Sequence, residues 1–139
     1  MNIKEVHNHL RIHGIKPSMQ RVSIMQYLLE NRTHPTIDQI FTDLLPTIPT
    51  LSKTTVYNTL KLFYEQNAVL ALTIDEKNIR YDGYTSDHAH LKCKKCGMIY
   101  DIPLEKSVLT PLAQTGDNYT IEETQIYFLG VCKKCNVEN

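Results

Sequence analysis

The sequence predicts an α+β protein, with a helical N-terminal half closed by a short hairpin and a C-terminal half in which strands dominate. Three observations carry this. Up to about residue 66, apolar residues recur at helical spacing between Ser and Thr cap positions. From residue 68 the pattern changes to short β-like runs separated by turn residues. Two CxxC pairs, Cys93/Cys96 and Cys132/Cys135, then bracket most of the second half. The change of character puts a hinge near 83–87 and predicts domains at 1–83 and 84–139.

The elements follow in order. An amphipathic helix is expected over about 2–13, stopping at Gly14. Ser18 caps a second helix to about 30, with Val22, Met25, Leu28 and Leu29 on one face. The "THPT" run at 33–36 breaks it, and Thr36 caps a third helix whose inner face is Ile37, Ile40, Phe41, Leu44 and Leu45. Pro46 and Pro49 end that helix, and Ser52 caps a fourth to about 66. "AVLALTI" and "NIRYDGY", separated by "DEK", read as a hairpin. Strands are expected at 88–93, 98–102 and 119–132, the last with room for one break, with a helix at 104–115 disturbed by Pro111.

Composition excludes some function classes. No apolar run approaches the ~20 residues of a membrane span, and the N-terminus lacks the apolar core of a signal peptide. A cytoplasmic protein without membrane association is expected. Such a chain uses its four cysteines for metal rather than for disulfides. The formal net charge is zero, but residues 1–64 hold seven Lys/Arg against four Asp/Glu, an excess of +3. No HExxH-like motif supports a zinc hydrolase, and no βαβ pattern surrounds the cysteines as in a thiol oxidoreductase.

The third helix, a six-residue turn and the fourth helix resemble a helix-turn-helix, and the hairpin makes it a winged one. On the fourth helix Val56, Leu60 and Phe63 form an inward stripe, while Thr54, Tyr57, Asn58, Lys61 and Glu65 face out. That outer face offers groups for base edges and phosphates in a major groove, with Ser52 and Lys53 at the helix start. A plain solvated helix in a small bundle explains the same face. Arg21 reaches either a phosphate or an acid such as Glu30.

The cysteine pairs supply four thiolates, the ligand set of a structural zinc. Thirty-five residues lie between them, so the metal clips the start of the second half to its C-terminus. His88 and His90 are two apart on an extended strand and share a face, whereas Cys93 is at odd spacing and faces away. The histidines therefore need other ligands. His34, Asp82 and Asp101 are candidates. With His88 and His90 they make three imidazoles and two carboxylates, suited to iron(II), manganese(II) or zinc. Taken singly, each has a plainer reading: His34 in a turn, Asp82 on a strand surface, Asp101 as a turn acid. His7, His9 and His13 lie on the first helix; His9 and His13, four apart, have the spacing to bind a metal, and a solvated helix face is the plainer reading.

Together, "SMQRVSIMQYLLEN", "HPTIDQIF", "LSKTTVYNTLKLF", "RYDGYTSDHAHLKCKKCGMIYD" and "YFLGVCKKC" resemble the ferric uptake regulator (Fur) family of metal-dependent repressors, in order and spacing, from about residue 4 to 135. The resemblance implies a homodimer with a winged helix-turn-helix domain and a C-terminal α/β dimerisation domain, binding AT-rich palindromic operator DNA. It implies a structural Zn2+ on Cys93, Cys96, Cys132 and Cys135. It also implies a regulatory Fe2+ or Mn2+ on His34, Asp82, His88, His90 and Asp101. Ser52, Thr55, Tyr57 and Asn58 match the recognition-helix region. Asp101, where iron sensors usually carry glutamate, points to the peroxide-stress (PerR) subgroup, in which His34 and His88 are the oxidised ligands. A sensor of iron or zinc supply is the alternative. Met19 departs from the family's frequent proline in "TPQR".

Overall fold

A computed structural model describes residues 2–105, 107 and 119–137. The described residues combine four helices with two small sheets, α1 (Ile3–Ile12), α2 (Met19–Glu30), α3 (Ile37–Leu44), α4 (Lys53–Glu65), β1 (Leu70–Leu72), β2 (Arg80–Asp82), β3 (His88–Cys93), β4 (Ile99–Pro103) and β5 (Tyr127–Gly130). The chain divides into two compact units, 1–85 and 86–139.

In the first unit each helix begins where a hydroxyl or amide side chain satisfies an orphan backbone N–H. Asn2, Ser18, Thr36 and Ser52 cap α1 to α4 in turn. Thr36 and Gln39 close a reciprocal capping box. Met19 is the exposed first residue of α2, and the Ser18 cap starts that helix without a proline. α1 packs on α2, and α3 on α4. Leu10, Met25, Leu28, Ile40, Leu60 and Phe63 are fully buried in one apolar cluster.

Packing departs from the sequence reading at several positions. Ile24 is buried where a single stripe of α2 omits it, and Leu29 is only half-buried. Ile15, Ile48 and Leu51 are buried from connecting segments, closing the core at positions that helical periodicity does not address. On α3 only Ile40 is fully buried, and its apolar neighbours cover the edge of the cluster.

β1 and β2 pair antiparallel, Ala71 opposite Tyr81 and Leu70 opposite Asp82. Gly83 follows β2 in a tight place, where a side chain would need its neighbours to give by a few tenths of an ångström. A Cβ there would lie 3.1 Å from Leu29 Cδ2 and 3.3 Å from Leu28 Cβ.

The described residues of the second unit form a three-stranded sheet in the order β4-β3-β5. β3 and β4 are antiparallel, with His90 opposite Asp101. β5 runs parallel to β3, with Tyr127 opposite His90 and Gly130 opposite Cys93. The expected strand at 119–132 shortens to these four residues. Residues 119–125 are exposed and lie outside the register with β3, so their backbone gains no ladder there. The helix expected at 104–115 falls largely outside the described residues.

Candidate metal centres and nucleic-acid face

The cysteine cluster is built by two knuckles. β3 ends at Cys93, whose sulfur accepts from the Cys96 amide at 3.4 Å, and the Gly97 amide donates to the Cys93 carbonyl at 2.9 Å. Gly97 takes φ +77°, a left-handed conformation that glycine adopts without strain. The parallel pairing of β5 with β3 delivers Cys132, and the Asn136 amide closes the second knuckle on the Cys132 carbonyl at 2.9 Å.

All four sulfurs lie within 4.8 Å of one another, and Cys96 and Cys132 are 3.7 Å apart. A tetrahedral zinc with Zn–S of about 2.3 Å has S···S edges of about 3.8 Å. The set therefore fits the ion that the spacing implies.

Hydrogen bonds share out the protons of this cluster. The Cys96 amide, then groups of Cys132, hold the Cys93 thiol down to about 6. The Tyr100 hydroxyl chiefly lowers Cys132. The hydrogen bond that Cys135 itself shares with Cys132, followed by burial, pushes the Cys135 thiol up to about 12. Tyr100 is a fifth member of this cluster that spacing did not single out. Strand alternation is the available signal: Tyr100 and Asp101 are adjacent on β4 and point to opposite faces.

The histidine face of the same sheet is separate. Nε2 of His88 and Nε2 of His90 lie 3.1 and 3.4 Å from the same oxygen of Asp101, Oδ1. The two rings are 4.4 Å apart between centroids. Nδ1 of His88 is 2.7 Å from the Ser86 carbonyl oxygen. A carbonyl only accepts, so Nδ1 carries the proton and Nε2 of the neutral ring presents a lone pair to the carboxylate. A lone pair and a carboxylate oxygen at that distance call for a cation, either a proton or a metal ion.

The first unit holds a second imidazole–carboxylate pair. Nε2 of His34 is 3.4 Å from Asp82 Oδ2, and both side chains are 1 % exposed. The pairing follows from how the "THPT" break meets β2. The Tyr81 amide donates to the Pro35 carbonyl at 3.0 Å, and Arg80 Nη1 donates to the His34 carbonyl at 3.2 Å. Asp82, next along β2, then falls beside the His34 ring. His34 is held at φ +57°, an uncommon conformation for a non-glycine residue, with a cost of order 1 kcal/mol. Arg32 also engages the carboxylate, with Nε 3.6 Å from Asp82 Oδ1, and its guanidinium lies over the Tyr84 ring. No sequence spacing links Arg32 to Asp82.

On α4, Thr54, Tyr57, Asn58, Lys61 and Glu65 are exposed, and Val56, Leu60 and Phe63 are buried. Arg21, Thr55 and Asn58 line one open depression of about 520 Å³ with Lys16, Ser18 and Thr59. Arg21 Nη1 donates to the Lys16 carbonyl at 2.9 Å, and Glu30 accepts from Gln26 instead, so the alternative Arg21–Glu30 pair does not form. Ser52 lies outside that depression. Its hydroxyl caps α4 and is 2.9 Å from the Thr55 hydroxyl. Lys53 pairs with Asp38 at 3.0 Å, and Lys61 with Glu65 at 4.0 Å.

His7, His9 and His13 are half-buried rather than solvated. His9 and His13 hydrogen-bond to backbone carbonyls beyond α4.

A mixed helix–sheet chain with a four-cysteine cluster and imidazole–carboxylate pairs has the character of a metal-binding protein. The ferric uptake regulator family model matches residues 12–129, and the chain belongs to this family. It is 35% identical over 130 residues to the peroxide-responsive repressor PerR of Staphylococcus epidermidis, covering 93% of this chain and 87% of that protein. Among solved structures, PerR from Streptococcus pyogenes is 31% identical with a TM-score of 0.53, covering 96% of this chain and 92% of that one. The Helicobacter pylori ferric uptake regulator Fur shares the fold with a TM-score of 0.74 at 20% identity, covering 97% and 94%.

Proposed function

We propose that the chain is a metal-dependent transcriptional repressor. It binds operator DNA as a homodimer and senses hydrogen peroxide by iron-catalysed oxidation of a ligand histidine. The observation that carries the sensing half is the Asp101 oxygen facing two imidazole nitrogens, a cation site built only from nitrogen and oxygen donors. Similarity to PerR of S. epidermidis supports the same reading.

In this reading Cys93, Cys96, Cys132 and Cys135 hold a permanent zinc. His88, His90 and Asp101 share a divalent ion, Fe2+ or Mn2+, with His34 and Asp82. Iron(II), when bound, supplies the reducing electron that activates peroxide. The chain's own residues supply orientation: Ser86 and Asp101 fix the His88 ring, and Asp82 and the strained backbone fix His34. Overall, peroxide transfers one oxygen to a ring carbon of His34 or His88 and leaves as water. The altered ring is a poorer ligand.

A shared ion restrains the angle between the DNA-binding and dimerisation domains, and hence the spacing of the two α4 helices over an AT-rich palindrome. Metal binding is then a population shift toward the DNA-competent form. α3 and α4 serve as the helix-turn-helix and β1–β2 as the wing. Tyr57, Asn58, Thr55 and Lys61 face the groove, and Arg21, Ser52 and Lys53 lie near phosphates. Lys53 and Lys61 exchange exposed acid partners for phosphate, a small loss for each pair. Phe128 and Leu129 are exposed on the outer strand β5, 46% and 63%, and suit a dimer interface.

The test is peptide mass spectrometry of the iron form after peroxide. One added oxygen on His34 or His88, with loss of operator binding, supports the reading. An unmodified protein that stays on DNA overturns it in favour of a sensor of iron or zinc supply.

A further inference from the structure

His9 and His13 lie one turn apart on α1 and are half-buried. α4 ends in a left-handed turn at Asn67, φ +61°, closed by the Ala68 amide donating to the Phe63 carbonyl at 2.8 Å. That turn brings two carbonyls to α1. Nε2 of His9 is 3.1 Å from the Ala68 oxygen, and Nδ1 of His13 is 3.2 Å from the Gln66 oxygen.

A carbonyl oxygen only accepts, so each of these nitrogens carries its ring's proton. The neutral rings keep lone pairs on the other nitrogens, Nδ1 of His9 and Nε2 of His13. Metal-binding histidines are oriented in this way, with the far nitrogen donating to a carbonyl or carboxylate.

The ring separation also fits a shared ion. A metal about 2.0–2.1 Å from two imidazole nitrogens sits about 3.2 Å from each ring centre, so adjacent ligands place the centres about 4.5–5.2 Å apart. The observed separation is 4.9 Å, with the ring planes inclined at 60°.

We propose that His9 and His13 form a two-imidazole chelate for a divalent transition-metal ion, with water completing its shell. Both protein ligands belong to α1, and their hydrogen bonds to the Ala68 and Gln66 carbonyls hold the rings in place for the ion. The site shares no residue with either cluster described above and does not depend on the proposed function. His9 precedes the first residue matched by the family model. With only two protein donors the site is weak, and it prefers Cu2+ and Ni2+ over Fe2+ and Mn2+.

The test is calorimetric titration of the full-length protein, carrying its zinc, with Ni2+. Wild type is expected to bind one more equivalent than His13→Gln. His7→Gln, on the same helix, should retain that equivalent, and His88→Ala should lose a different one. His13→Gln binding the same number of equivalents as wild type, within about twofold in affinity, overturns the proposal. Should His13→Gln fail to fold, the wild-type ring protons decide. Paramagnetic broadening of both His9 and His13 on adding Ni2+ supports the chelate, and sharp resonances at saturating Ni2+ overturn it.

Discussion

Asp101→Asn is the sharpest test of two independent metal centres on one sheet. The substitution keeps the side chain's shape and removes its charge, leaving Nε2 of His88 and His90 facing an amide instead of the oxygen now 3.1 and 3.4 Å away. At an effective dielectric of about 20, a unit charge about 4 Å from a divalent ion contributes roughly 8 kcal/mol of gross attraction. Desolvation cancels much of this, and the Asp101 side chain is 29% exposed, so solvent screens more. Losing an outer-shell partner of a metal ligand typically costs 10–100-fold in affinity. Losing a ligand itself should cost at least about 100-fold, or about 2.7 kcal/mol. Fluorescence anisotropy of a labelled operator, titrated with Mn2+, reads this as a shift in the metal midpoint. Zinc content and dimer mass should stay at wild-type values, because neighbouring Tyr100, and not Asp101, faces the cysteines. A variant that loses zinc, or one whose Mn2+ midpoint does not move, refutes the assignment.

Two further outcomes are expected. Cys96→Ser removes one of four sulfurs that lie within 4.8 Å of one another; zinc content should fall and limited proteolysis should cut selectively within 86–139, a unit whose described residues bury few apolar side chains. The Tyr27 hydroxyl donates to Asp43 at 2.5 Å, and burial with that carboxylate raises the phenol above its usual 10.0. The folded state then keeps a proton that the unfolded chain releases, so this stability is full below pH 10 and is lost as pH rises above it. Urea midpoints measured across that range should fall more steeply for wild type than for Tyr27→Phe.

Local signals were legible because local physics sets them. Ser18, Thr36 and Ser52 cap helices through hydrogen bonds three residues long, so their positions are visible in the sequence. The paired cysteines are legible because thiolate ligands tolerate few spacings. The opposite orientation of His90 and Cys93 follows from strand alternation alone. Residues 119–125 show the limit: a β-like composition does not supply the register that makes a strand.

What the sequence determined by itself was therefore the order of elements, their caps, two candidate ligand sets of different chemistry and the family. Only the tertiary structure decided which distant groups meet. It set Arg32 and His34 against Asp82, held His34 left-handed, aimed Tyr100 at Cys132, and turned His9 and His13 onto carbonyls 59 and 53 residues away. These contacts arise from packing and from the need to satisfy buried polar groups, which act across space and leave no periodic trace along the chain.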